Sequence, residues 1–192
     1  MEIEVKVIKC PNCGAALAAR DKSCGYCGSP VYITTFSDVL SMPLPKLNKY
    51  VGEYKKALES DPDSASVNES IAFCYLKLGF YDKALASFEK AIEENFGSPD
   101  LYFYAAVCCF GGKNPFLHKR EVVDRAEQFL SAALSIERRP AYLYLMYYIR
   151  HNYFTRKFLN ASPPARQFLD ESIAAGITES DVEQIKKLLG DV

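Results

Sequence analysis

The sequence predicts a mainly α-helical protein with a small N-terminal module of different composition. Four of the seven cysteines lie within the first 27 residues, and the other three lie in apolar, helix-like sequence. From residue 46 onward, helix start and stop signals recur at regular intervals, which indicates repeated helix pairs. The 192 residues suffice for one small module and one medium-sized domain. We therefore divide the chain into a module at residues 1–35, a proline-containing connector at residues 36–45 and a helical domain at residues 46–192.

Composition also bears on the compartment. The first nine residues carry acidic side chains and no long apolar run, which is not typical of a secretory signal. The longest uncharged apolar stretches, residues 101–110 and 141–149, have about half the roughly 20 residues that a membrane span needs. An odd number of cysteines, four of them in close pairs, favours a reducing compartment over a disulfide framework. We therefore predict a cytoplasmic protein with no membrane partner.

Two Cys-x-x-Cys-Gly segments, with ten residues between the second and third cysteines, provide four candidate metal ligands: Cys10, Cys13, Cys24 and Cys27. Each segment offers two thiolates from one tight turn, and four soft sulfur ligands suit tetrahedral Zn²⁺. The glycine after each second cysteine is predicted to let the backbone close around the metal where a side chain would clash. Four protein ligands leave no coordination position for water, so the ion is expected to be structural. An iron centre for electron transfer uses the same ligands and remains an alternative.

The paired motifs resemble the zinc-ribbon family over residues 1–35. Sequence on both sides of the motifs, at residues 3–7 and 31–36, is rich in β-branched residues and predicts two flanking strands. About 35 residues bury too little apolar surface to fold alone, so metal binding and folding are expected to be one event.

The connector at residues 36–45 contains Pro43 and Pro45, which are predicted to block regular helix and leave this segment extended. Farther along, two capping boxes are predicted to begin helices. These are Ser66 with Glu69, and Ser180 with Glu183.

The clearest helical repeat spans residues 65–98. In its second half, small and large apolar residues alternate at helical spacing. The small residues are expected where the two helices touch, because only a small side chain lets a second helix approach closely. The spacing recurs twice downstream, more weakly the second time, and a half repeat containing Tyr50 and Tyr54 precedes the first copy. The recurring positions are Ala84, Phe88 and Ala91; Ala126, Leu130 and Ala133; and Ala165, Leu169 and Ser172.

This pattern resembles the tetratricopeptide repeat (TPR) family over about residues 46–190. The resemblance implies an α-solenoid of antiparallel helix pairs, with a C-terminal capping helix and a concave groove that binds a segment of a partner protein. An apolar, aromatic wall in this groove suits a hydrophobic peptide or helix, although the same side chains could instead be core, and the connector or the ribbon could fill the groove. The groove positions that the resemblance implies are Glu69, Phe73, Phe103, Val107, Tyr144 and Tyr148.

Positive charge is concentrated between residues 111 and 166, which carry ten Lys and Arg against four Asp and Glu. Two related inserts, at residues 114–120 and 152–158, both connect a first to a second helix and are expected to emerge on one edge. That edge could bind phosphate or an acidic peptide, or could be ordinary solvated surface. Its basic residues are Lys119, Arg120, Arg156 and Lys157, interleaved with aromatic residues.

Motifs for catalysis are missing from the sequence. Only two histidines occur, His118 and His151, and neither lies in a known catalytic motif; no phosphate-binding glycine loop or nucleophile elbow is present. We therefore expect a scaffold or adaptor that is not an enzyme and that binds a protein or peptide partner. The alternative is a nucleic-acid-associated regulator in which the ribbon and the basic edge act together on phosphate.

Overall fold

The structure, a computed structural model, describes residues 8–18 and 21–191, and this part of the chain is mainly helical. Two short strands, β1 (Ile8–Lys9) and β2 (Ala16–Leu17), come first. Two turns of 3-10 helix, at Pro115–Leu117 and Thr155–Lys157, interrupt the helical part. The α-helices are α1 (Phe36–Leu40), α2 (Leu44–Ser60), α3 (Ala65–Lys77), α4 (Tyr81–Glu94), α5 (Pro99–Cys109), α6 (Arg120–Ile136), α7 (Pro140–Tyr153), α8 (Ala165–Ala174) and α9 (Glu179–Leu188).

The N-terminal strands are shorter than the sequence suggests. β1 and β2 pair in antiparallel register, with Ile8 opposite Leu17, and a single antiparallel bridge joins Ser23 to Pro30. The strand predicted at residues 3–7 lies outside the described residues. The strand predicted at residues 31–36 is wrong: this segment bends and then enters α1.

The prediction of an extended connector is also wrong. α1 occupies half of this segment and begins with a capping box in which Thr35 and Asp38 satisfy each other's backbone amides. Pro43 is the N-cap of α2, and its carbonyl accepts the first hydrogen bonds of that helix. Pro45 lies in the first turn, where a proline disrupts no helical hydrogen bond. Proline therefore fixes where α2 begins and does not exclude a helix from the segment.

The chain divides into two compact units, one ending at Asn95 and one beginning at Phe96. In the first unit, α3 packs against α1, α2 and α4, and every residue from 70 to 76 is buried. A helix that is apolar on all sides suits this central position. Gly79, at a φ of +75°, closes the turn between α3 and α4 and lets α4 fold back on α3.

In the second unit, α7 has the corresponding central position. It packs against α6, α8 and α9, while α5 packs against α6. The end of α9 closes onto the loop after α5, where Gly190 lies so near Gly112 that a Cβ atom on Gly190 would be 2.3 Å from the Gly112 carbonyl oxygen.

The small residues that define the repeats are buried where expected. α4 packs on α3, α6 on α5 and α8 on α7, which gives three packed helix pairs. In the third pair the large buried residue is Phe168, whereas Leu169 is partly exposed, so this copy departs from the predicted position by one residue. The buried small residues are Ala84 and Ala91, Ala126 and Ala133, and Ala165 and Ser172.

Both helices begin two residues before the predicted capping boxes, and α3 has no capping box, because the Ser64 side chain makes no capping hydrogen bond. α3 begins after Ser64, not Ser66. α9 begins after Thr178, whose hydroxyl oxygen accepts a hydrogen bond from the Asp181 backbone amide at 3.2 Å. The Thr178 backbone amide in turn donates to the Asp181 carboxylate. An aspartate at the third position therefore replaces the glutamate of the predicted box.

We expect Gly190→Ala to destabilise the second unit by about 1–3 kcal/mol, because the new Cβ would meet a backbone oxygen and because the residue has a left-handed φ of +67°. Urea denaturation followed by circular dichroism measures the loss. Gly97→Ala is the matched control, since a Cβ atom there would meet nothing within 4 Å. Equal stabilities of the two variants would contradict the expected clash.

Candidate metal centre

The four N-terminal cysteines converge on one point, as the sequence predicts. All four Sγ atoms lie within 4.8 Å of one another. The Sγ atoms of Cys10 and Cys27 are 3.7 Å apart, and so are those of Cys13 and Cys24. A tetrahedral site with metal–sulfur bonds of about 2.3 Å has sulfur–sulfur edges of about 3.8 Å. The donor set and its dimensions therefore fit a tetrahedral thiolate-bound ion such as Zn²⁺.

The two cysteine turns are built by the same hydrogen bonds. In the first, the Gly14 amide donates to the Cys10 carbonyl at 2.9 Å, and the Cys10 amide donates to Ala15. In the second, the Gly28 amide donates to the Cys24 carbonyl at 2.8 Å, and the Cys24 amide donates to the Ser29 carbonyl. Each turn thus directs two thiols to the same side of the chain.

Both glycines are needed for a different reason from the one predicted. A Cβ atom on Gly14 or Gly28 would meet nothing within 4 Å, so no side chain would clash. Instead, the two residues have φ values of +76° and +68°, in the left-handed region that favours glycine. The requirement is therefore one of backbone conformation, not space.

A polar link that the sequence analysis missed joins the two turns. The Asn12 side-chain amide donates to Ser29 Oγ at 3.0 Å and lies 3.7 Å from Cys27 Sγ. An N–H group directed at a thiolate stabilises its negative charge. A polar residue between the first two ligands is a weak sequence signal for this role.

The thiols differ in how readily they ionise. The Ser29 backbone amide, helped by the Ser29 hydroxyl and the Asn12 amide, lowers the pKa of Cys27 to about 6. At Cys13 the Ala15 amide lowers the pKa, but desolvation and the three neighbouring sulfurs oppose ionisation, and the net result raises the pKa to about 12. A divalent cation removes this mutual repulsion, because it neutralises thiolates that cannot otherwise be charged together.

The apolar core of the cysteine module is very small. It consists of Cys10, Leu17, Cys24 and Val31, with two partly buried neighbours. Cys13 and Cys27 are exposed, as is Tyr26 between the last two ligands. So little buried surface agrees with folding that depends on a metal ion.

The segment that leaves the module is held by the first helical unit through buried hydroxyl groups. Tyr50 donates to the Pro30 carbonyl at 2.9 Å and Tyr54 to the Val31 carbonyl at 2.8 Å. Ser70 accepts from the Ile33 amide at 2.8 Å. Burial raises the pKa of Tyr50 to about 12, so its hydroxyl remains a donor at neutral pH. Side chains of α2 and α3 therefore hold residues 30–33, in addition to the Val31 amide's hydrogen bond to the Lys22 carbonyl at 2.9 Å.

Tyr54→Phe is expected to destabilise the first unit by about 1–3 kcal/mol, because the buried Val31 carbonyl loses its donor. Chemical denaturation of the metal-loaded protein tests this expectation. Tyr26→Phe removes the same hydroxyl group from a side chain that is 84% exposed and should change stability little. A Tyr54→Phe variant as stable as the wild type would show that this bond does not anchor the segment.

The six predicted groove positions do not form an accessible wall. Phe73 packs edge-on against Phe88 at 5.2 Å between ring centroids, and the Tyr148 hydroxyl donates to Asp191 at 2.6 Å. Glu69 is partly exposed. The prediction of an aromatic binding wall is not supported, because these side chains pack within the helical units. The five buried residues are Phe73, Phe103, Val107, Tyr144 and Tyr148.

The structure brings the two inserts together. Lys157 Nζ lies 5.0 Å from the centre of the Phe116 ring in the other insert and 3.5 Å from the His118 carbonyl oxygen. The Arg156 guanidinium lies over the same ring, at 4.8 Å. Arg120 lies 4.7 Å from the Phe154 ring, and Lys119 precedes it at the start of α6. The four predicted basic residues therefore lie on or beside contacts between the inserts.

Both histidines contact aromatic rings. His118 packs edge-on against Phe110 at 5.4 Å, and its Nε2 atom is buried without a hydrogen-bond partner among the described residues. Burial lowers the pKa of this imidazole. His151 lies 5.5 Å from the Tyr147 ring.

Along the described part of the chain, every helix is too short or too polar to cross a membrane.

Comparison with known proteins identifies one part of the chain. No curated protein is significantly similar to it. Residues 7–31 match the family model of the zinc-ribbon domain, and all four clustered cysteines fall within that match. The N-terminal segment is therefore a zinc-ribbon domain whose cysteines are placed to bind a metal ion, most compatibly zinc.

Proposed function

We propose that the protein is a non-enzymatic, cytoplasmic scaffold in which a zinc ribbon and a TPR-like α-solenoid present surfaces to a partner protein. The main support is the recurrence of packed helix pairs, each with small buried residues at equivalent places, such as Ala84 and Ala91 in the first pair and Ala126 and Ala133 in the second. Repeats of this kind form an extended surface by stacking similar units, and proteins built from them commonly use that surface to bind a partner.

The role of the metal follows from its ligands. Four cysteine sulfurs complete a tetrahedral shell, so an ion held by them has no position for a substrate or a reactive water molecule. The ribbon also ends in a segment anchored by Tyr50, Tyr54 and Ser70. Zinc in this proposal fixes the shape of the first unit and takes no part in chemistry.

Because five of the six predicted groove positions are buried, we expect a partner to contact other parts of the helical surface. Large apolar side chains remain exposed at several sites on the helical units, and exposed apolar groups of this size are common at protein interfaces. They include Phe80, Phe96, Leu117 and Phe158. We propose that the partner contacts such side chains instead of the buried aromatic residues.

The proposal is tested with the full, metal-loaded chain as bait in extracts treated with nuclease. We expect one or a few proteins to remain bound, and each should bind again as a purified pair, with defined stoichiometry in isothermal titration calorimetry. If no captured protein binds the purified chain, the scaffold proposal is wrong. Phe73 and Phe103 are unsuitable for mutation here, because they are buried and their loss would disturb the fold.

A nucleic-acid-associated role is the second candidate, and the observation that favours it is the cluster of Arg156 and Lys157 on the Phe116 ring. The ribbon adds exposed Lys9 and Lys22. Binding to RNA or DNA through phosphate contacts should weaken steeply between about 50 and 200 mM salt. Absence of binding even at low salt, measured by fluorescence anisotropy, would remove this candidate.

A further inference from the structure

The edge formed by the two 3-10 turns carries cations without acidic partners. Among the described residues, no carboxylate lies within ion-pair distance of Lys119, Arg156 or Lys157. Other arginines of this unit are neutralised: Arg139 pairs with Asp100 at 2.9 Å, and Arg150 pairs with Glu127 at 2.8 Å. Positive charge therefore remains uncompensated at this edge, although the same unit pairs its arginines elsewhere.

Two of these cations, Arg156 and Lys157, are held in place by contacts within the unit. The Arg156 guanidinium donates to Asn152 Oδ1 at 2.9 Å while lying over the Phe116 ring. Lys157 lies over that ring and also over Tyr153, with Nζ 4.0 Å from the Tyr153 ring centre. Charged side chains that are already ordered lose less entropy when a ligand binds. The arrangement is thus preorganised to receive anions.

Exposed apolar side chains flank the cations. Phe158, directly after Lys157, is 97% exposed and has a left-handed φ of +58°. This backbone conformation is strained for a residue other than glycine, and the Phe158 side chain gains almost no packing in return. Leu117, between two residues that contact Lys157, is 71% exposed. The edge therefore combines fixed cations with unpacked apolar groups.

The number of cations decides among possible occupants. A protein that binds DNA tightly commonly contacts about 6–10 phosphates, and an anionic membrane surface is recognised by clusters of about 4–8 basic residues. The three uncompensated cations, together with the nearby exposed Lys113, are fewer than those phosphate contacts and only reach the lower end of the membrane range. The Phe116 and Tyr153 rings are covered by Arg156 and Lys157, which leaves less aromatic surface for stacking on bases. A short protein segment needs only two or three carboxylates and one apolar anchor.

We propose that this edge, comprising Lys119, Arg156, Lys157, Leu117 and Phe158, binds an acidic segment of a partner protein that also carries an aromatic or aliphatic anchor. The inference rests on the proposed scaffold function and specifies the chemistry of its partner. Carboxylates meet the three cations, and the anchor packs on Phe158 and Leu117. Charge complementarity sets the orientation, while the apolar contact adds affinity that salt does not screen.

The test uses fluorescence anisotropy with a labelled 15-residue peptide of repeated Glu-Glu-Phe. The wild-type chain should bind it in the micromolar range at physiological salt, and K119Q/R156Q/K157Q should weaken binding about tenfold or more. F158S should weaken it several-fold. The charge-matched control, K49Q/K186Q/K187Q, removes three exposed lysines elsewhere and should bind within about twofold of wild type. Thermal unfolding of each variant establishes that all are folded.

The other arms distinguish the alternatives. A peptide with Gln in place of Glu should not bind, and a 15-nucleotide single strand and phosphatidylserine vesicles should bind more weakly than the acidic peptide. The inference is overturned if the acidic peptide does not bind, if both triple variants lose affinity equally, or if DNA or vesicles bind more tightly. A captured protein partner that binds the edge variant as well as wild type would also overturn it, yet would leave the scaffold function intact. Failure to capture any partner rejects the scaffold function itself.

Discussion

Cys24→Ser is expected to abolish stoichiometric metal binding and to unfold the ribbon. Cys24 is a buried member of the four-sulfur cluster, and its amide also closes the second turn onto Ser29. Structural zinc contributes roughly 10–16 kcal/mol of apparent binding free energy in comparable small sites. The four-residue core of the module cannot replace a contribution of that size.

The effect should extend into the helices. Tyr50 and Tyr54 donate to carbonyls of residues 30 and 31, so loss of the ribbon leaves both hydroxyls without protein acceptors. We expect the first unit to unfold at a lower temperature in this variant, while the second unit changes less. Chelation of the metal from the wild-type protein should produce the same changes.

Metal content by mass spectrometry and hydrogen exchange over residues 10–33 measure the two outcomes. The wild type should hold about one ion per chain. Cys109→Ala is the control, since Cys109 lies outside the cluster and its loss should leave the metal content unchanged. A Cys24→Ser chain with full metal content, or a ribbon protected from exchange without metal, would contradict the coupling. Visible absorption distinguishes iron from zinc in the same samples.

Phe88→Ala is expected to cost about 3–5 kcal/mol of stability in the first unit. Phe88 is fully buried in α4 and packs edge-on against Phe73 of α3, which in turn contacts Phe36 of α1. Removing the ring opens a cavity between α3 and α4. A loss of this size is a large fraction of the 5–15 kcal/mol by which a typical domain is stable.

Urea denaturation followed by circular dichroism at 222 nm, on metal-loaded protein, measures this loss. Phe96→Ala deletes the same ring from a side chain that is 75% exposed and should change stability by less than about 1 kcal/mol. Similar midpoints for the two variants would show that the α3–α4 contact does not stabilise the unit. The result also tests the large apolar position of the repeat pattern.

Local features of the structure could be predicted because their causes are local. The four cysteines meet because two residues between ligands suffice for one turn to present both sulfurs, and Gly14 and Gly28 allow that turn. Gly79 after α3 and Pro99 at the start of α5 mark a helix end and a helix start, because each residue favours one particular backbone conformation.

Features that depend on distant neighbours could not be predicted in the same way. α3 is apolar on almost every side, so the spacing of its apolar residues did not indicate which face meets solvent. In the structure, α1, α2 and α4 together cover this helix. Phe73 was therefore assigned to a groove but lies in the core. Tyr54 and Ser70 anchor residues that precede them by 23 and 37 positions, and neither lies in a recognisable motif.

By itself, the sequence determined a four-cysteine metal site, a mainly helical body and the small residues at which paired helices touch, since each depends on spacing between residues that are close in the sequence. Only the tertiary structure decided which aromatic side chains are buried, how residues 30–33 are held, and that Arg156 and Lys157 share the ring of Phe116. Burial and charge compensation depend on residues far apart in the chain, and periodicity does not encode those distances.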